Sequence, residues 1–155
     1  MVSYRSLLIA FPFPGSPHFY SFIIVIDCKL CQKTCPNNRE IAFRYPSHCY
    51  AAWITNKEKR KICASGGIGT ELSEFILKHG GIIFGSRYDE QLNPIITWTD
   101  SITELERFKG SRYVQSKVGE KTYKQVKEFL RTGKQVLYIG TPCQIAGLYG
   151  FLKKS

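Results

Sequence analysis

Six cysteines carry the chemistry open to this sequence, and they are unevenly placed. Cys28, Cys31 and Cys35 crowd together, whereas Cys49, Cys63 and Cys143 stand apart. The crowded stretch runs Cys28-Lys29-Leu30-Cys31-Gln32-Lys33-Thr34-Cys35-Pro36, a C-x2-C-x3-C-P spacing. Thiolates this close together suit a soft metal centre, either an iron–sulfur cluster or tetrahedral zinc. The proline directly after the last cysteine favours iron–sulfur. An even cysteine count also fits disulfides, but the spacing and the lack of a leader pattern at the start argue for metal or redox chemistry in a reducing, cytoplasmic setting.

Cys143 belongs to a different local grammar. Val136, Leu137, Tyr138 and Ile139 form an apolar run between Gly133 and Gly140 that reads as a buried strand. Gly140-Thr141-Pro142 breaks it. Thr141 can cap a helix and Pro142 fits its first position, where a missing N–H costs nothing. Cys143 then falls in the first turn, where free amides and the helix dipole favour a thiolate, an anionic ligand or a cluster sulfur. A buried, inert cysteine after an ordinary strand–helix turn fits the same pattern. Two further stretches could face a ligand. Ala64-Ser65-Gly66-Gly67 offers backbone amides at a helix start, and Gly110-Ser111-Arg112-Tyr113 offers a hydroxyl, a cation and an aromatic. Plain turns and a surface loop would look alike.

The elements that must position these residues alternate. Strands are expected at 50–54, 82–85, 94–99 and 136–139, and a charged turn at 55–60. Helices are expected at 68–79, at 102–108 with Asp100 or Ser101 as cap, and at 123–131. Ile68, Leu72, Phe75 and Ile76 are read as the inward face of the first, and Tyr123, Val126, Phe129 and Leu130 as that of the last. Residues 110–116 read as a polar loop and strand. Alternation of this kind predicts an α/β fold, a mixed and partly parallel sheet covered by helices. Residues 1–27, with Pro12, Pro14 and Pro17, read as an irregular arm.

Hydrophobic residues make up 43% of the 155-residue chain, which excludes a disordered protein, and no apolar stretch is long enough to span a bilayer. The formal net charge of +10 fits an acidic protein partner, a phosphate-bearing cofactor, nucleic acid or a solvated lysine-rich surface. No nucleic-acid-binding signature accompanies it.

Two resemblances follow from these motifs. The C-x2-C-x3-C-P stretch is similar to the last three cysteines of the bacterial ferredoxin run, with Val25 where a further cysteine would stand. Tyr-Ala-Ala-Trp at 50–53, Ala-Ser-Gly-Gly at 64–67, Gly-Gly-Ile-Ile-Phe-Gly at 80–85, Lys-Gly-Ser-Arg-Tyr-Val-Gln-Ser at 109–116 and Tyr-Ile-Gly-Thr-Pro-Cys-Gln-Ile-Ala-Gly-Leu at 138–148 resemble, in order and spacing, the coenzyme F-420 hydrogenase/dehydrogenase beta-subunit family. The resemblance implies a partial 4Fe-4S ferredoxin-type segment at 28–48 and a flavin domain at 49–155, truncated on its C-terminal side. It implies FAD beside Ser65, Gly66, Gly67, Gly110, Ser111, Arg112, Gly140 and Thr141. It implies Cys28, Cys31 and Cys35 as cluster ligands and Cys143 as a ligand or a neighbour of the cluster. The segment alone leaves the set short, so Cys49, Cys63, Cys143 or a partner chain must complete it, and Cys143 is preferred because a helix N-terminus stabilises its thiolate. The partners it implies are a redox protein or a missing C-terminal domain, and a small-molecule electron carrier. The alternative is a non-catalytic, zinc-stabilised binding module whose basic surface docks an acidic partner or nucleic acid.

Overall fold

The computed structural model describes residues 6–10, 35–38 and 48–153. Among these residues five strands form one sheet: β1 (Ser6–Ala10), β2 (Ile82–Tyr88), β3 (Pro94–Thr99), β4 (Lys117–Val118) and β5 (Val136–Gly140), in the order β1-β5-β2-β3-β4. β5 pairs in parallel with both β1 and β2, β2 pairs antiparallel with β3, and β3 pairs in parallel with β4. The expected mixed, partly parallel α/β sheet is therefore the observed one.

Period-two alternation explains why the strands read as unbroken apolar runs: both faces are covered. Ile82, Phe84, Val136 and Tyr138 point to one side, where they meet Val126 and Leu130 of α3 (Thr122–Arg131) and Ile145 and Leu148 of α4 (Pro142–Lys153). Ile83 and Leu137 point to the other, against Leu77 of α2 (Ile68–Lys78) and Leu105 of a 3-10 helix (Thr103–Phe108). β5 lies inside the sheet, between β1 and β2, as a run with three consecutive buried residues requires.

Four expectations need correction. Residues 1–27 are not irregular throughout, because Ser6–Ala10 is a strand in register with β5 from Ser6 opposite Val136 to Ala10 opposite Gly140. The prolines that argued against order all lie beyond its end. Residues 50–54 form no strand: Tyr50 and Trp53 are exposed and only Ile54 is buried. Their aromatic content satisfied a strand pattern, but no sheet neighbour receives it. The charged turn is instead the short helix α1 (Lys57–Lys61), capped by the Asn56 side chain, which accepts the Lys59 N–H at 3.0 Å. On α2 the inward face is rotated. Ser73 and Leu77 are buried and Leu72 and Ile76 pack beside them, whereas Phe75 is 56% exposed and lies against His79. Smaller differences occur at 102–108, where no side chain caps the 3-10 helix, and at 110–116, where β4 begins only at Lys117. The inward face expected for α3 is the observed one.

Among the described residues no helix is long and apolar enough to cross a membrane.

Candidate functional site

The carboxyl end of β5 collects two helix N-termini. α4 starts there directly, at Pro142. α2 leads into β2, so it runs opposite to the parallel strands, and its first turn arrives at the same end. There a Cβ on Gly69 would stand 3.6 Å from the Ile139 side chain. In open α/β sheets this end is where ligands bind, because helix N-termini and their unpaired amides face it.

The first turn of α4 is held by Gln144, which the sequence reading did not single out. The Thr141 N–H donates to Gln144 Oε1 at 2.9 Å, and Gln144 Nε2 donates to the Ser116 carbonyl at 2.9 Å. This is half of a capping box, with the N3 glutamine receiving the amide of the cap residue. The Thr-x-x-Gln spacing was the available signal. Gly140 is required here because a Cβ would stand 2.8 Å from Gln144 Oε1 and 2.9 Å from the Tyr138 ring. The Thr141 hydroxyl lies 3.1 Å from Cys143 Sγ, and Cys143 is exposed. The helix start and first-turn cysteine match expectation, but the Thr141 hydroxyl lies against Cys143 and not on a first-turn amide; the capping contact is that of Gln144 with the Thr141 amide.

Two tyrosines underlie this turn. The Tyr123 hydroxyl donates to the Gln144 carbonyl at 2.8 Å, and burial pushes its pKa up to about 12. Tyr138 is fully buried, its hydroxyl sits beside that of Tyr123 without a well-formed hydrogen bond to any described residue, and burial raises its pKa still further. Both phenols therefore stay protonated across the physiological range. A buried hydroxyl so poorly partnered carries a desolvation cost that its hydrogen bonding does not fully offset. Tyr138→Phe should accordingly stabilise the protein by up to about 1 kcal/mol in denaturant unfolding. Destabilisation instead would show that the hydroxyl has a partner in solution.

Ser65 is exposed with φ 54°, and Gly67, at φ 80°, begins α2. The space these glycines leave is filled by the chain itself. A Cβ on Gly66 would stand 2.6 Å from the Ala52 carbonyl oxygen, and one on Gly67 2.4 Å from Ile54 Cδ1. The Ile54 N–H donates to the Gly66 carbonyl at 2.8 Å. Gly66→Ala should push out the 52–54 chain and cost about 1–3 kcal/mol in denaturant unfolding. An unchanged midpoint would show that the two segments are not packed in solution. Beside them lies an open groove of about 400 Å³, lined by Trp53, Ile54, Asn56, Lys59, Ile68 and Glu71 among others.

Arg112 is turned onto its own loop. Nη1 donates to the Lys109 and Gly110 carbonyls at 2.6 and 3.0 Å, and Nη2 donates to the Arg107 carbonyl at 2.8 Å. Its guanidinium lies 4.9 Å from the Tyr88 ring centroid, at the carboxyl end of β2. Gly110 and Ser111 are exposed. The first turn of α2 and residues 140–143 thus lie at the carboxyl end of β5, and Arg112 lies at the carboxyl end of β2 with its guanidinium engaged by carbonyls.

Cys28 and Cys31 lie outside the described residues. Cys35 is half-buried and leads into a 3-10 turn (Pro36–Asn38) that lies against α4, the helix carrying Cys143. Cys49 is exposed and Cys63 half-buried, and all four described cysteines are free thiols. Among the described residues no group of three or more His, Cys, Asp or Glu side chains could hold a metal ion.

Fold and site together define a mixed α/β domain with two helix N-termini and an exposed cysteine at the carboxyl end of its interior parallel strand. In comparison with known proteins, no family model matches the chain and no curated protein sequence matches it.

Proposed function

We propose that this chain is an iron–sulfur and flavin electron-transfer oxidoreductase subunit, or a piece of one, of the coenzyme F-420 hydrogenase/dehydrogenase beta-subunit type. One observation carries the reading: the turn that follows Cys35 lies against the helix whose first turn presents Cys143, although the two cysteines are far apart in sequence. The described residues alone do not make a complete ligand set, so a cluster would need Cys28 and Cys31 together with Cys35 and Cys143. The donor chemistry fits, since four thiolates suit a 4Fe-4S cluster and a helix N-terminus favours the anionic form of the one placed there.

A flavin would lie along the exposed backbone at Ser65, with Gly110, Ser111, Gly140 and Thr141 nearby. Gly66 and Gly67 would contribute amides and not open space, because their own chain fills it. Arg112 would shape the loop while its donors hold carbonyls. When bound, the flavin supplies the exchange between two-electron and one-electron chemistry, and a cluster supplies onward transfer of single electrons. The protein's part is to fix both on rigid elements, the first turns of α2 and α4.

Anaerobic purification followed by metal, sulfide and flavin analysis tests the reading. Iron with matching acid-labile sulfide and bound flavin is expected. Zinc without sulfide and no flavin would sink it in favour of a zinc-stabilised binding module.

A further inference from the structure

Charge is handled differently on the two sides of the sheet. On the side of α1, α2 and the 3-10 helix, most cations are matched by local acids, Lys57 and Arg60 of α1 being in none of the ion pairs among the described residues. Lys59 bridges Glu71 and Glu74 at 2.7 and 2.8 Å, Lys78 also meets Glu74, Lys61 pairs with Glu58, Arg107 with Glu104 and Lys109 with Glu106. On the opposite side, Lys121, Lys124, Lys127 and Arg131 follow one another at three- and four-residue steps along α3, with Lys117 on β4 just before them. That spacing sets them on the outward side of the helix, away from buried Thr122, Val126 and Leu130. None of these five cations is in an ion pair with a described residue, although Glu120 and Glu128 are close in sequence. Glu120 and Glu128 lie among them without pairing, so the stretch 117–131 carries five cations against two acids and presents a net positive face.

The stripe also begins at the candidate site. Tyr123, between Lys121 and Lys124, donates its hydroxyl to the carbonyl of Gln144, in the turn that presents Cys143. We infer that the outer face of α3 is the docking surface for an acidic electron-carrier protein, steered toward the first turn of α4. This identification of the partner rests on the electron-transfer reading above. Charge complementarity supports carboxylate-rich protein over nucleic acid. Lysines predominate over arginine, and the aromatics of α3, Tyr123 and Phe129, are packed against the core and not displayed for base stacking.

The test measures binding of the full chain, purified anaerobically, to a small acidic ferredoxin across a salt series, with duplex DNA and a basic cytochrome c as comparison probes. Salt-sensitive binding to the ferredoxin is expected. The Lys121→Glu/Lys124→Glu/Lys127→Glu variant should weaken it about tenfold or more and flatten its salt dependence. The Lys57→Glu/Lys61→Glu/Lys78→Glu variant changes net charge equally on the other side and should leave binding within about twofold. A Lys→Gln triple at 121, 124 and 127 repeats the test with milder charge change, and matched thermal unfolding checks the fold of each. Equal loss in both glutamate variants, no ferredoxin binding, or tighter binding to DNA would overturn the inference. Iron and flavin are assayed on the same samples. Cofactor without ferredoxin binding sinks the docking surface alone, whereas ferredoxin binding lost in the 121/124/127 variant of cofactor-free protein supports an acidic-protein surface and sinks the electron-transfer reading.

Discussion

Cys143→Ala should leave the fold intact and, on the iron–sulfur reading proposed above, strip the protein of iron. The sulfur is exposed and its described hydrogen-bonding neighbour is the hydroxyl of Thr141, so its removal opens no cavity. In cofactor-free protein the unfolding free energy should change by no more than about 0.5 kcal/mol. The effect on a cluster would be far larger. A cube already dependent on a ligand outside the Cys28–Cys31–Cys35 segment would fall to three thiolates, and iron per chain should drop at least about tenfold. Cys49→Ala, another exposed cysteine, is the matched control and should keep its iron. Iron unchanged in Cys143→Ala would refute the ligand assignment. Near-zero iron in the unsubstituted protein as well would mean that the cysteine segment binds no cluster.

The largest loss of stability is expected for Phe84→Ala. Phe84 is fully buried in the central strand, with its ring 5.9 Å from that of Tyr138 in a stacked arrangement and 6.1 Å from that of Phe129 edge-on. Trp98 continues the cluster, 4.8 Å from Phe129. Removing the ring leaves a cavity bounded by other rings that cannot collapse into it. The cost should be about 3–5 kcal/mol, a large share of the roughly 5–15 kcal/mol that holds a domain together. Denaturant unfolding monitored by Trp98 emission gives the measurement, and a loss under about 1 kcal/mol would show that the two helices above close over the gap. Tyr138 also lies beneath Gly140 and the first turn of α4, so the cavity should loosen the candidate site before the domain unfolds.

What the sequence by itself determined is what depends on near neighbours. β5, the break at Gly140, the start of α4 and the placing of Cys143 in its first turn all follow from spacing within a few residues, and all stand in the structure. So do β2, β3 and the inward face of α3, because continuous apolar runs and a helical repeat report burial on the element itself. The tertiary structure decided whatever depends on residues far apart along the chain. Ser6–Ala10 is a strand because β5 offers it a parallel edge, whereas 50–54 has similar side-chain chemistry and no edge to join. Gly66 and Gly67 invited a ligand reading, and the space they leave is taken by residues 52–54. Arg112 looked like a free cation until the carbonyls of its own loop closed around it. Gln144 looked unremarkable in sequence, yet it joins the cap of α4 to Ser116, because a hydrogen bond spanning 28 residues exists only once the sheet has brought its two ends together.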